Sequence, residues 1–143
     1  MTKLRSAQAE WKGDLRGGDG TLRTESGAVD TKYTFAARFE EGAETNPEEL
    51  IGAAHAGCFS MALSNILAEA GHTPRSVRTT ATVKLEMLDD GPTITGIELR
   101  TRGDVPGLDA DEFRKHAEAA KTGCPVSRAL KAVDITLDAA LEG

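Results

Sequence analysis

The sequence predicts an α+β fold, and three observations carry this prediction. One long apolar segment, residues 47–70, has the length and the end signals of a helix. Segments in which apolar and polar residues alternate lie on both sides of it, as is typical of strands. Strands and helices do not alternate regularly along the chain, so a doubly wound parallel sheet is not expected. The 143 residues suit one domain, residues 1–143, because no repeat or linker divides them.

Residues 7–40 are predicted to form short strands joined by turns. Two glycine-containing polar segments, residues 17–20 and 25–27, mark the turns. In the run from Tyr33 to Phe39 every second side chain shares one face, and Arg38 belongs to the other face. We therefore predict a strand that carries Arg38.

The apolar segment is predicted to be a helix with well-defined ends. Asn46 is a good N-cap, Pro47 suits the first helical position, and Gly71 is a typical stop. Between residues 50 and 63, only one histidine and one serine are clearly polar. A helix that is apolar almost all round is expected to be buried almost all round. Cys58 is therefore expected in or beside the core.

Two strands, two helices and a final strand are predicted after the long helix. The strands, residues 77–88 and 93–102, flank an Asp-Asp-Gly-Pro turn and are expected to pair as a hairpin. Asp109 is the candidate cap of the next helix, and a short helix opens at Cys124. Residues 133–141 alternate as a strand does.

Composition and charge exclude several classes of protein. The chain has 17 basic and 23 acidic side chains, a formal net charge of −6, and 4% aromatic residues. An acidic chain with few aromatic side chains is not expected to bind nucleic acid. The first residues lack the apolar segment of a secretory signal, and no membrane-spanning segment is expected. We therefore predict a cytoplasmic location, where two cysteines are not expected to form a structural disulfide.

Cys58 and Cys124 are the candidate reactive groups. Cys58 lies in the middle of the predicted long helix, and Cys124 lies where a short helix begins, a position that favours the thiolate. The two are 66 residues apart, so they do not form a Cys-x-x-Cys motif. Together with His55 they provide at most three ligands without the spacing of a zinc site, so no metal is expected.

Three functions remain open for this pair. A Cys58 thiolate that attacks a peroxide O–O bond would become a sulfenic acid, which Cys124 would convert to a disulfide. A buried thiolate needs a nearby positive charge, and Arg38 is the candidate, with Arg16 as the alternative. A cysteine hydrolase would instead use His55 as its base. In a non-enzymatic dimeric binding or structural protein, the cysteines would only pack.

The residues around both cysteines resemble those of a known family. The segments 46–50 (Asn-Pro-Glu-Glu-Leu), 53–63 (Ala-Ala-His-Ala-Gly-Cys-Phe-Ser-Met-Ala-Leu) and 123–127 (Gly-Cys-Pro-Val-Ser) are similar to the active-site motifs of the OsmC/Ohr proteins. These are the osmotically inducible protein C and organic hydroperoxide resistance families. The segments 11–14 and 24–27 make the resemblance closest to the OsmC branch.

The resemblance implies a cysteine-based peroxidase that reduces organic hydroperoxides to alcohols and serves oxidative or osmotic stress defence. Cys58 matches the peroxidatic cysteine and Cys124 the resolving cysteine. Arg38 and Glu48 match the arginine and glutamate that organise the site. No cofactor is implied, since the reaction needs no metal, haem or flavin. An external dithiol, such as that of a lipoyl-bearing protein, would reduce the disulfide formed in each turnover.

The resemblance also implies an intertwined homodimer, in which antiparallel sheets pack around a long buried central helix that carries Cys58. Helix geometry gives an independent estimate of the distance between Glu48 and Cys58. Glu48 precedes Cys58 by ten residues, which is about 15 Å along a helix at ~1.5 Å per residue and too far for contact within one chain. If Glu48 serves the site, we predict that it reaches Cys58 of the partner subunit.

Overall fold

The computed structural model describes residues 1–142 and divides the chain into two compact units. The first unit comprises Met1–Leu50, and the second begins at Ile51. Along the chain come three strands, a short helix, a long helix, two strands, two helices and a last strand. The predicted α+β fold class is confirmed, while the single domain remains a prediction.

An antiparallel sheet forms most of the first unit. Its three strands, in spatial order, are β1 (Ala7–Lys12), β2 (Asp19–Thr24) and β3 (Asp30–Tyr33). Trp11 on β1 and Tyr33 on β3 pack together, with ring centroids 5.2 Å apart. Gly20 on β2 lies between them, and a Cβ atom there would approach the Tyr33 ring to 2.5 Å. This position therefore requires glycine.

The prediction of a strand that carries Arg38 is wrong, because the strand ends at Tyr33. Residues Phe35–Phe39 form a short helix, α1, and Arg38 lies on it. Thr34 is the N-cap of α1, because its hydroxyl accepts a hydrogen bond from the Ala37 N–H at 3.0 Å. A local cap of this kind outweighs an alternation that extends over so short a run.

Helix α2 (Pro47–Glu69) begins and ends where the sequence predicts. The Asn46 side chain accepts a hydrogen bond from the Glu49 N–H at 2.8 Å. Gly71 follows the helix with a φ of 88°, the left-handed conformation that glycine adopts at helix ends.

One face of α2 lies in the core of the second unit, where Phe59, Leu63 and Leu67 are fully buried. By length and composition alone, α2 could also cross a membrane, with a mean hydropathy of 1.4 over its most apolar window. The expectation that no segment spans a membrane stays a prediction. The criterion is weak evidence, because the core helix of a soluble protein also meets it.

The opposite face of α2 is exposed in the single chain, contrary to the expectation of burial almost all round. Ala53, Ala54 and Gly57 are exposed, and Met61 is 77% exposed. These positions form one line along the helix, the exposed stripe of α2. A contiguous apolar surface of this kind is typical of an interaction site.

The second unit contains a three-stranded sheet and two further helices. Strands β4 (Ser76–Leu88) and β5 (Gly91–Asp104) form the predicted antiparallel hairpin. Strand β6 (Asp134–Leu141) pairs with β5 in parallel, so the expectation of antiparallel sheets is wrong for this pair. The parallel direction is possible because the helices α3 (Ala110–Gly123) and α4 (Pro125–Ala129) form a crossover connection between the two strands.

Helices and sheet of the second unit share one core. Asp109 caps α3 as predicted, since its carboxylate accepts from the Glu112 N–H at 2.9 Å. Cys124 ends α3 and begins α4, and its side chain is fully buried. The buried members of the core are Phe59, Leu63, Leu67, Ile97, Leu99, Val105, Phe113, Ala117, Ala120 and Cys124.

Candidate active site

The two cysteines lie together in the second unit, although 66 residues separate them in sequence. The Cys58 sulfur on α2 and the Cys124 sulfur at the start of α4 are 2.9 Å apart and share a hydrogen bond. Both are free thiols; Cys124 is fully buried and Cys58 is partly buried. The sulfur atoms need to approach by less than about 1 Å to reach the bonding distance of a disulfide.

The surroundings of the pair shift the pKa values of the two thiols in opposite directions. Burial raises the pKa of the Cys58 thiol, the hydrogen bond with Cys124 raises it further, and the Val126 N–H opposes both. Burial also opposes ionisation of Cys124, but hydrogen bonds from Cys58, Ser127 and the Val126 N–H outweigh it and lower the pKa of Cys124. These surroundings therefore favour the thiolate more at Cys124 than at Cys58.

His55 and Ser127 form a buried polar pair in the same unit. The His55 Nε2 and Ser127 Oγ atoms are 2.7 Å apart, and both side chains are buried. Burial lowers the pKa of His55 and so favours the neutral imidazole. The other ring nitrogen, Nδ1, is buried without a hydrogen-bond partner among residues 1–142.

Ser127 is the candidate functional residue that the sequence prediction missed. Its side chain interacts with the Cys124 sulfur and favours the charged form by lowering the pKa of that thiol. A signal was available, because Cys124 is the N-cap of α4 and Ser127 occupies the third helical position, from which side chains reach back to the cap. No comparable pattern links His55 to Ser127 across 72 residues.

The predicted pair of Arg38 and Glu48 forms in the first unit. The Arg38 Nε and Nη2 atoms donate to the Glu48 carboxylate, with the shortest distance 2.9 Å. The Glu48 side chain is 10% exposed and the Arg38 side chain 38%. A bidentate contact fixes the plane of the guanidinium. Its Nη1 atom makes no hydrogen bond to the described chain and can bind a ligand.

Aromatic rings flank both arginines that the sequence identified. The Phe35 and Phe39 ring centroids are 5.0 Å apart. The Arg38 guanidinium lies 5.4 Å from the Phe39 ring centroid, and that of Arg16 lies 4.7 Å from the Phe35 ring centroid. Of these two arginines, Arg38 is the one held by a buried carboxylate within residues 1–142.

The structure thus brings the four predicted site residues together as two pairs, Cys58 with Cys124 and Arg38 with Glu48. The first pair can interconvert between two thiols and a disulfide. The second pair can hold an oxygen atom or a negative charge. The described part of the chain has no group of three or more His, Cys, Asp or Glu side chains that could hold a metal ion.

Comparison with known proteins assigns the chain to a family. A family profile described as OsmC-like protein matches residues 40–138, a span that includes both cysteines. The chain belongs to the OsmC family. It is 55% identical over 139 residues to Peroxiredoxin OsmC of Escherichia coli (strain K12), which covers 96% of each protein. It is 33% identical over 98 residues to the organic hydroperoxide resistance protein of Xanthomonas axonopodis pv. citri (strain 306), which covers 67% of each.

Solved structures of OsmC and Ohr proteins share the fold. An organic hydroperoxide resistance protein OsmC from Legionella pneumophila superposes with a TM-score of 0.78 at 25% identity, over 97% of this chain and 99% of that one. OhrB of Bacillus subtilis superposes with a TM-score of 0.74 at 26% identity, over 94% and 97%. These findings confirm the resemblance, and the names of the relatives support a peroxidase-type role for this member of the OsmC family.

Proposed function

We propose that this chain is a thiol-dependent peroxidase that reduces organic hydroperoxides to alcohols. The observation that carries the proposal is the 2.9 Å separation of the Cys58 and Cys124 sulfurs. The Cys58 thiolate attacks the terminal peroxide oxygen, the O–O bond breaks, and the alkoxide takes a proton to become the alcohol. Cys124 then attacks the sulfur of the Cys58 sulfenic acid, which forms a disulfide and releases water. An external dithiol, such as a lipoyl group, reduces the disulfide.

Cys58 needs a positive charge beside it, because its surroundings in the second unit disfavour its thiolate. In our proposal the Arg38 guanidinium provides this charge, and Glu48 orients it. Glu48 and Cys58 stand ten residues apart on one continuous helix, about 15 Å at ~1.5 Å per residue. We therefore assign Arg38 and Glu48 to the Cys58 of the partner subunit in a homodimer.

The exposed stripe of α2 supports the homodimer. It leaves small apolar residues and Met61 uncovered in the single chain, and a second copy of the chain would bury them. The name of the Legionella pneumophila protein, like that of the Xanthomonas axonopodis relative, refers to resistance to organic hydroperoxides. We extend that role to this chain as part of a stress defence.

Aromatic surface beside Arg38 supports a preference for organic substrates. Phe35 and Phe39 pack against each other, and Phe39 lies beside the guanidinium that would hold the peroxide oxygens. An alkyl or aryl group on the peroxide gains apolar contact there, whereas hydrogen peroxide does not. Comparable turnover of hydrogen peroxide and an alkyl hydroperoxide at equal concentration would contradict this preference.

A cytoplasmic location is part of the proposal, because a disulfide that is reduced in every turnover needs a reducing compartment. The hydrolase alternative loses support, since His55 bonds to Ser127 and is fully buried. A non-enzymatic role stays the second candidate. The complete burial of Cys124 favours it, because inert cysteines are commonly buried.

A thiol count after treatment with a hydroperoxide separates the two candidates. Reduced protein is mixed with one equivalent of tert-butyl hydroperoxide, and free thiols and tert-butanol are measured. The peroxidase is expected to lose both thiols of each chain and to form one equivalent of alcohol. Cys124→Ser is the matched variant and is expected to form the alcohol but to retain a sulfenic acid that a 1,3-diketone traps. Unchanged thiols in the folded wild-type protein would support a packing role.

A further inference from the structure

We propose that Ser127 is a catalytic residue and His55 a positioning residue of the disulfide-forming step, acting through a directed hydrogen-bond chain from His55 through Ser127 to Cys124. The inference deepens the proposed function and rests on it for the nature of the reaction.

Two hydrogen bonds of the second unit and the position of Ser127 in the first turn of α4 define the hydrogen-bond chain. His55 Nε2 lies 2.7 Å from Ser127 Oγ. Ser127 follows Cys124 by three residues in the first turn of α4, and its side chain interacts with the Cys124 sulfur. The Cys124 sulfur in turn lies 2.9 Å from the Cys58 sulfur. His55, Ser127 and Cys124 are all buried, so water does not compete for these contacts.

The His55 Nδ1 atom, which has no partner in residues 1–142, indicates which atoms donate along the hydrogen-bond chain. A neutral imidazole carries its proton on one nitrogen, and a proton on Nδ1 would leave a buried N–H without an acceptor in residues 1–142. Buried N–H groups without partners are rarer than unfilled acceptors. We therefore assign the proton to Nε2, from which His55 would donate to Ser127 Oγ. The Ser127 hydroxyl is then free to donate to Cys124.

Hydrogen-bond donation from His55 to Ser127 and from Ser127 to Cys124 suits the reaction that Cys124 performs. The Cys124 thiol loses its proton, and its sulfur attacks the Cys58 sulfur, so that an S–S bond forms as the S–O bond of the sulfenic acid breaks. The leaving hydroxide combines with the proton to give water; the Cys58 sulfur is reduced and the Cys124 sulfur is oxidised. The Ser127 hydroxyl stabilises the negative charge on Cys124 before the attack. His55 holds Ser127 in the donating orientation.

Burial of His55 supports positioning rather than proton transfer. Its lowered pKa keeps the imidazole neutral, so it donates a hydrogen bond without becoming a cation. The conservative variant His55→Gln tests this distinction, because glutamine keeps an amide N–H near the position of Nε2 but does not titrate.

Four variants distinguish loss of the hydrogen-bond chain from a general effect on the structure. Ser127→Ala removes the donor to Cys124, His55→Leu removes the donor to Ser127, and His55→Gln restores an N–H. Thr101→Val is the matched control, because Thr101 is a fully buried hydroxyl of the same unit that bonds to Thr79. Each reduced protein receives one equivalent of tert-butyl hydroperoxide. Alcohol formation reports the attack by Cys58, and loss of trappable sulfenic acid reports disulfide formation.

We expect Ser127→Ala and His55→Leu to form the alcohol as fast as wild type, because Cys58 and not Cys124 attacks the peroxide. Both should form the disulfide about ten- to a hundredfold more slowly, the effect of losing one hydrogen bond to a charged group. His55→Gln and Thr101→Val should resemble wild type in both steps. Unchanged disulfide formation in folded Ser127→Ala, or equal slowing of both steps, would overturn the proposal.

A second measurement does not depend on peroxidase activity. In a Cys58→Ser protein, the ultraviolet absorbance of the Cys124 thiolate is followed in a pH titration, and its midpoint is expected to rise when His55→Leu or Ser127→Ala is added. An unchanged midpoint would contradict the hydrogen-bond chain. A wild-type protein that forms no alcohol would contradict the proposed peroxidase instead, so the two failures are distinguishable.

Discussion

His55 shows how surroundings select one role from several that a residue type permits. The sequence correctly places it three residues before Cys58 on a helix, where it was a candidate base of a hydrolase. The structure gives it a different partner, Ser127, and buries it completely. That partner could not be predicted, because it comes from a helix 72 residues later whose position depends on packing in the core. The contact between Cys58 and Cys124 was implied by the family resemblance, but spacing and periodicity could not predict it for the same reason.

The free energy of unfolding is predicted to depend on pH through His55. Burial lowers the folded-state pKa of His55 below its ordinary value of 6.5. At a pH between the folded-state pKa and 6.5, His55 binds a proton in the unfolded state but not in the folded state. Stability is therefore fully present above pH 6.5 and is lost as the pH falls through this range. The loss is up to about 1.4 kcal/mol per pH unit. Denaturant unfolding at several pH values between about 5 and about 8 measures it.

Two histidine variants test this assignment. His55→Gln should flatten the pH dependence, because glutamine does not titrate. His116→Gln is the matched control, since His116 lies in the same unit and is only half-buried, and it should leave most of the slope in place. An equal slope in wild type and His55→Gln would show that the pH dependence comes from other groups.

At the scale of elements, the sequence predicts helix ends better than it predicts short segments. The caps of α2 and α3 are as predicted, because a capping side chain and the N–H it binds are three residues apart in sequence. Helix α1 was predicted to be a strand, because an alternation over a few residues fits either structure. The parallel pairing of β5 and β6 was missed because register and direction depend on the crossover through α3 and α4.

Asn46 is predicted to stabilise the first unit through two contacts. Its Oδ1 atom accepts from the Glu49 N–H at 2.8 Å, and its Nδ2 atom donates to the Ala37 carbonyl at 2.9 Å. Asn46→Ala removes both contacts and should lower the free energy of unfolding by about 2 kcal/mol. Asn46→Asp keeps the acceptor and adds a favourable charge at the helix N-terminus, so its loss should be at most about 1 kcal/mol. Chemical denaturation measures both values.

Asp109→Ala provides the comparison for Asn46, because the Asp109 carboxylate caps α3 by accepting from the Glu112 N–H. Loss of this cap should cost about 1 kcal/mol. Equal losses in Asn46→Ala and Asn46→Asp would show that the cap of α2 contributes nothing and that the contact with the Ala37 carbonyl accounts for the effect.

At the scale of the whole molecule, the single chain leaves two features unexplained. The exposed stripe of α2 lies on a helix whose composition predicts burial on every side. Cys58 lies in surroundings that disfavour its thiolate. A homodimer in which each chain supplies Arg38 to the other would account for both. Sequence periodicity could indicate that α2 needs cover, but it could not show that the cover comes from a second copy.

Mixing two inactive variants tests whether Arg38 acts across subunits. Arg38→Met lacks the activating charge and should reduce hydroperoxides about a hundredfold more slowly than wild type. Cys58→Ser lacks the nucleophile and should not turn over. A mixed dimer would join the Cys58 of one variant with the Arg38 of the other in one complete site. Random exchange of equal amounts makes half of the dimers mixed, so about a quarter of all sites should regain activity.

The outcome of this mixing experiment depends on whether Arg38 serves the Cys58 of its own chain or that of the partner subunit. If Arg38 serves the Cys58 of its own chain, no dimer holds a complete site, and activity stays at the level of the separate variants. A mixture of Arg38→Met with Glu48→Gln is the matched control, because each chain then lacks one member of the Arg38–Glu48 pair and no mixed dimer restores a complete site. Sedimentation and mass analysis of tagged chains confirm that mixed dimers form. Recovery in the first mixture alone would establish that one active site needs two chains, whereas confirmed mixed dimers without recovery would exclude it.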